Sequence, residues 1–204
     1  MWKRKMIPYD ICIPPIRKPF PLLNSEEVKE YFQWYIGKIP ERIHYLSYMI
    51  AQDFGLNESQ INLLPDSLII VWKWFLGVAN TEISDASGMQ LDLQTEYIIR
   101  DIGMFLGELF HSQYKSISWS YFESPKTDLF VNKPILIGFQ DNSVSPPYHA
   151  VFEPIHMVRT QACKILSDRQ SEYDLINLYR KWTSKIMEQH HPISREPCFT
   201  DICN

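Results

Sequence analysis

The stretch from Leu91 to His111 constrains this chain more than any other. Its apolar residues Tyr97, Ile98, Ile102, Phe105, Leu106, Leu109 and Phe110 recur at helical spacing, the mark of a helix with one face against a core. Gly103 and Gly107 fall inside it. Each destabilises a helix interior by about 1 kcal/mol relative to Ala. One turn apart, they leave a smooth strip, and such a strip implies close approach of a second helix or of a sheet. This helix is therefore expected at the packing centre.

Other elements can be read around it. Pro8, Pro14, Pro15, Pro19 and Pro21 make residues 1–24 an extended arm, because proline fixes φ and removes a donor. Its apolar residues, Ile11, Ile13, Ile16, Phe20 and Leu22, suggest an arm that lies on the domain. Ser25 is the expected cap of a first helix, with Glu26 and Glu27 in the first turn. Gly37 is expected to end that helix, and Pro40 to open a second one running to about Phe54. A third helix is expected from Pro65-Asp66-Ser67, with Leu68, Val71, Trp72, Phe75 and Leu76 inward. Trp72 and Trp74 point apart on one helix, so one of them is expected at the surface or against a second layer. Asn80 to Gly88 reads as a polar loop.

After His111 the period changes from helical to alternating. Ser116 to Phe122 reads as a strand, and Pro134 to Phe139 as a more buried one. Asp141 to Pro147 is turn-rich. Pro154 opens a fifth helix to about Leu166, and Ser171 caps a sixth to about Glu188. Sheet and helices segregate along the chain. The fold class is α+β: a mostly helical single domain with a small antiparallel sheet, about residues 116–150, between N-terminal and C-terminal helices. The expected organisation is an arm over 1–24, one domain over 25–189 and an irregular tail over 190–204.

Composition excludes several functions. The chain has 204 residues, 45% of them hydrophobic, which is enough apolar surface to order a domain of this length. Its net charge of -4 gives no basic face for nucleic acid. The cluster Lys3-Arg4-Lys5 opens like a signal peptide, but Pro8 and Asp10 interrupt the apolar run that would have to follow. No apolar run approaches the roughly 18 residues of a membrane span. A cytoplasmic protein is expected, with Cys12, Cys163, Cys198 and Cys203 as ordinary reduced thiols. Cys198 and Cys203 near His190 and His191 do not form a paired zinc knuckle.

Candidate chemistry concentrates on the central helix. Glu108 and His111 share a face at the spacing used by di-iron bundles, but those require a second such motif and two further carboxylates. The His-Glu-x-x-His of zinc proteases is absent. Asp101 and Glu108, seven positions apart, lie on nearly one face. Paired carboxylates perform acid–base work only when their environments split their pKa values. The expected role is structural, with Arg100 or Lys115 neutralising one of them. Nucleophile elbows and phosphate loops are missing. No catalytic residue, metal ligand or cofactor is assigned. Asp101, Glu108, His111 and Trp119 stand as candidate binding residues.

Three stretches taken together carry a resemblance. They are Tyr31-x-x-Trp34 with Ile39-Pro40-Glu41-Arg42-Ile43; Asp66-Ser67-Leu68 leading to Trp72-x-Trp74-Phe75; and Asp101-Ile102-Gly103-Met104-Phe105-Leu106-Gly107-Glu108, followed by Trp119 and Pro134 to Phe139. This order resembles a group of small uncharacterised proteins of Bacillus-like bacteria, and its patterning is similar to that of toxin-neutralising immunity proteins. The resemblance implies a non-catalytic binding module with a basic, toxin-like protein partner. The alternative is a small-ligand protein or hydrolase-like enzyme with a pocket beside the central helix. Homo-oligomers remain compatible with the pattern.

Overall fold

A computed structural model describes residues 9–84, 88–143 and 145–186. Among these are five α-helices and two small antiparallel sheets, an α+β fold with helices on both sides of the sheet in sequence. The helices are α1 (Ser25–Phe54), α2 (Ser67–Val78), α3 (Leu93–Gln113), α4 (Pro154–Ala162) and α5 (Asp174–Thr183). The strands are β1 (Thr81–Ser84), β2 (Gly88–Leu91), β3 (Ser118–Ser120), β4 (Ile135–Asp141) and β5 (Tyr148–Phe152). No described helix is long and apolar enough to cross a membrane.

The largest departure from the sequence expectation is α1. It is one helix of 30 residues, and neither Gly37 nor Pro40 interrupts it. Pro40 removes one backbone donor, a loss of about 3 kcal/mol in an isolated helix. The face carrying Tyr35, Ile39, Leu46 and Ile50 is buried on both sides of that point, and this continuous burial outweighs the local loss. The cap is Asn24 rather than Ser25. The Asn24 side chain accepts from the Glu27 amide, and Glu27 reaches back to the Asn24 amide, a capping box. Gly55, at φ 65°, closes the helix in the left-handed conformation.

The expected polar loop after α2 is a hairpin. β1 pairs with β2 from Thr81↔Leu91 to Ser84↔Gly88. Most side chains of its short strands are exposed and only Leu91 is buried, so no apolar alternation marks them in the sequence. Asp92 then caps α3 through the Thr95 amide. Both tryptophans of α2 are buried, so of the two alternatives, surface or second layer, the structure takes the second. Trp72 donates to the Ser171 carbonyl at 3.0 Å and Trp74 to Asp53 Oδ2 at 2.7 Å. α2 is covered by α3 and α5, so more than one of its faces is interior.

The three-stranded sheet has the order β3-β4-β5. Its register shifts between Leu136 and Phe139. Gly138 lies at that bulge with φ 107°, and a Cβ there would collide with the Ser116 carbonyl oxygen, so only glycine fits. Phe139 of β4, Phe152 of β5, Phe110 of α3 and Trp182 of α5 meet at centroid distances of 4.8–5.9 Å. They join sheet, central helix and last helix in one aromatic core. The fifth expected helix divides into α4 and a 3₁₀ segment, Cys163–Ser167. Ser171 sits just before α5 rather than at its cap, which is Tyr173.

α3 is the packing centre, touched by α1, α2 and α4. Gly103 admits the α4 backbone: a Cβ would stand 3.0 Å from Ile155 Cα and N. Gly107 admits the Trp119 indole of β3, whose Cη2 and Cζ2 occupy the space of a Cβ. The glycine strip thus serves a helix and a strand at once.

Candidate functional site

The four sequence candidates divide into two places. Asp101 is fully buried between α1 and α3. Its Oδ2 accepts from Arg42 Nη2 at 2.7 Å, Arg42 Nε at 3.0 Å and the Tyr9 hydroxyl at 2.7 Å. Burial, then the Asp101 charge, pushes the Tyr9 hydroxyl well above its ordinary pKa and keeps it a neutral donor. Arg42 also holds the arm, through Asp10 Oδ2 at 3.0 Å and the Asp10 carbonyl at 2.8 Å. Its guanidinium lies 4.7 Å from the Tyr45 ring centroid.

Arg100, expected with Lys115 as a neutralising partner for one carboxylate of α3, does stand in an ion pair with Asp101, but the hydrogen-bonded partners are Arg42 and Tyr9. Arg100 Nε stands 3.6 Å from Asp101 Oδ1, beyond hydrogen-bond reach. Arg42 and Tyr9 could not be paired with Asp101 from the sequence, since 59 and 92 residues separate them. The arm is accordingly fastened by Tyr9 and Leu23, which are buried, while Ile11, Ile13 and Leu22 stay exposed.

Glu108, His111 and Trp119 converge elsewhere, on an open groove of about 380 Å³. One wall is a face of α1: Ile36, Ile39, Pro40 and Ile43, at the i, i+3, i+4, i+7 positions of one helix side. Leu63 closes one part of it. The opposite wall is α3, where Glu108 and His111 are one turn apart, with Trp119 beside them. Trp119 Nε1 donates to Glu108 Oε2 at 3.2 Å. His111 Nδ1 lies 2.9 Å from the Ile117 carbonyl. A carbonyl only accepts, so Nδ1 carries the hydrogen of this contact, and Nε2 is the ring atom left for a bound group.

Asp101 and Glu108 are therefore not a working pair, although both lie on α3. One is sealed in an ion pair and the other borders solvent. Among the described residues, the groove lining contains no serine, cysteine, threonine or lysine and no second carboxylate. Its chemistry is an apolar trough with one carboxylate and one imidazole at its edge, able to receive a group with an apolar stem and a polar head.

A further buried carboxylate escaped the sequence reading. Glu153 caps α4, accepting from the His156 amide at 2.5 Å. Burial pushes its pKa up to about 7. Burial also lowers the neighbouring His156. Among the described residues, no three His, Cys, Asp or Glu side chains converge as a metal site would require. His190, His191, Cys198 and Cys203 lie outside the described residues. Comparison with protein-family models, with curated proteins and with solved structures found no match.

Proposed function

We propose that this chain is a non-catalytic binding protein of the immunity type, acting in the cytoplasm. Its working surface is the groove between α1, α3 and β3, and its partner is a basic protein that inserts a lysine or arginine side chain there. One observation carries the reading: Glu108, His111 and Trp119 converge on an apolar trough that sets one carboxylate and one imidazole at the edge of an aliphatic wall. A long basic side chain lays its methylenes along Ile39, Ile43 and Leu63 and sets its charged head at Glu108. The net charge of -4 favours a basic partner and speeds encounter with it.

The test is affinity capture from the organism of origin with wild type, Ile43→Asp and Glu108→Gln side by side. A stoichiometric basic partner held by the wild type and lost from both variants is the expected result. A partner that both variants retain, or no stoichiometric partner at all, overturns the proposal. A small molecule recovered with the wild type alone transfers the groove to the alternative, small-ligand reading.

A further inference from the structure

A second concavity, sharing no lining residue with the groove, lies under the N-terminal arm. The arm is clamped at two points. At one, Tyr9 and Asp10 hold Arg42 and Asp101. At the other, Phe20 packs on Tyr31 at 5.0 Å, the Phe20 carbonyl accepts from Asn132 Nδ2 at 2.6 Å, and Leu23 is buried. Between the clamps the chain borders a half-open concavity of about 390 Å³. Ile13, Pro14 and Ile16 line it on the arm's side, the roof, and Tyr31 and Tyr97 on the side of the helices, the floor. Pro14, Pro15 and Pro19 fix φ along the bridge, which resists collapse into the space beneath.

The electrostatics around this cavity favour an anion. Arg17 and Lys18 stand at its lip. Lys18 pairs with Glu27, whereas Arg17 has no ion pair among the described residues. Behind the floor, Arg100 lies 5.0 Å from the Tyr97 ring centroid and 5.8 Å from that of Trp34. It is 7% exposed, and its Nε and Nη2 have no hydrogen-bond partner among the described residues. A buried guanidinium with orphaned donors is costly unless something accepts from it. The Tyr31 hydroxyl, raised by burial to about 12, is a neutral donor on the same floor. Asp101, 3.6 Å from Arg100 Nε, already serves Arg42 and Tyr9 through its other oxygen, Glu27 is taken by Lys18, and burial favours the neutral form of Glu153.

We infer that this cavity is a binding site for a small amphipathic carboxylate, an apolar body with a single anionic head. The body lies against Ile13, Ile16, Phe20 and the two tyrosine rings, and the head meets Arg17 at the lip with Arg100 behind the floor. The volume falls in the range of small-ligand sites. The inference does not depend on the groove or on its partner.

Calorimetric titration of the full chain with decanoate, decanol and decyltrimethylammonium, each below its micellar concentration, tests it. Decanoate is expected to saturate at one equivalent. Decanol is expected to bind roughly 5-fold to 10-fold more weakly, the effect of losing one partly screened charge contact. Ile16→Trp, which fills the cavity from its roof, is expected to abolish binding, and Arg17→Gln to weaken it. Ile43→Asp, in the separate groove, is expected to leave it unchanged, with circular dichroism confirming that each variant folds. No saturable decanoate binding, equal binding of decanoate and decanol, or binding that survives Ile16→Trp overturns the inference. Loss of binding in Ile43→Asp but not in Ile16→Trp overturns it as well, by placing the ligand in the groove.

Discussion

Arg42 of α1 and Asp101 of α3 form an ion pair sealed from solvent, Nη2 to Oδ2 2.7 Å, with side chains 1% and 0% exposed. Such a pair contributes little against a well-packed apolar replacement, but losing one partner strands a buried charge. Asp101→Ala is expected to lower the unfolding free energy by about 3–5 kcal/mol. The double change Arg42→Met with Asp101→Leu should lose much less. Tyr9→Phe, which removes only a hydroxyl donor to the charged Asp101, should lose about 1.5–3 kcal/mol. Urea titrations of the three variants check the order. An Asp101→Ala variant as stable as the wild type would show that the pair does not hold the arm and α1 to α3.

The glycines of α1 separate two effects. A Cβ at Gly37 meets nothing within 4 Å, so Gly37→Ala adds helix propensity without a clash and should stabilise by about 1 kcal/mol. Gly55 also has open space, but its φ is 65°, and Gly55→Ala should destabilise by about 1 kcal/mol for that conformational reason. Thermal melts of opposite sign are the expected outcome. A destabilised Gly37→Ala would argue against a continuous α1.

Gly107→Ala places a methyl group where the Trp119 indole now lies. The ring must swing away, breaking its bond to Glu108 and altering the wall of the groove. Overpacking of this kind destabilises by about 1–3 kcal/mol. The companion change Trp119→Leu should restore part of it, and Trp119 fluorescence should report the displaced ring in the single variant. Unchanged tryptophan emission and stability would sink the account of the glycine strip.

Glu153 links stability to pH. Its folded pKa is raised to about 7 by burial, above the ordinary carboxylate range near 4.3. The folded state therefore holds the proton more tightly than the unfolded chain. The resulting stability is fully present below the ordinary value and is lost as pH rises through about 7. The full difference is on the order of 3 kcal/mol. Glu153→Gln, which keeps an acceptor for the His156 amide, should flatten this dependence and be the more stable protein above neutrality. Denaturation at several pH values between acid and mild alkali checks it, and parallel curves for both proteins would refute it.

Much of the fold was legible because burial imposes a period. The α3 stripe, the two glycines inside it and the change to alternation after His111 all appear in the sequence, and the structure places helix, close approaches and strands there. The β1–β2 hairpin was illegible because both its faces are largely exposed, so no alternation was imposed. α1 was misread as two helices because glycine and proline are local signals. Continuous burial of Tyr35, Ile39 and Leu46 decided the outcome over them.

The candidate site was legible in part for a related reason. Helical spacing puts Glu108 beside His111, and that pairing holds in the groove. Spacing alone also put Asp101 with Glu108, and there it misled. Seven residues bring two side chains to similar angles but ten ångströms apart along the axis, where different neighbours cover them.

The sequence by itself determined the α+β class and the central helix. Those follow from local preference and from the periodicity that one buried face requires. Only the tertiary structure decided that Arg42 and Tyr9 close over Asp101, and that the arm borders a concavity lined by Tyr31 and Tyr97. It also decided that Trp119 meets Glu108 at the edge of the groove. These depend on contacts between segments far apart in the chain, where the free energy of desolvating a charge or filling a void is set by whatever packs against it.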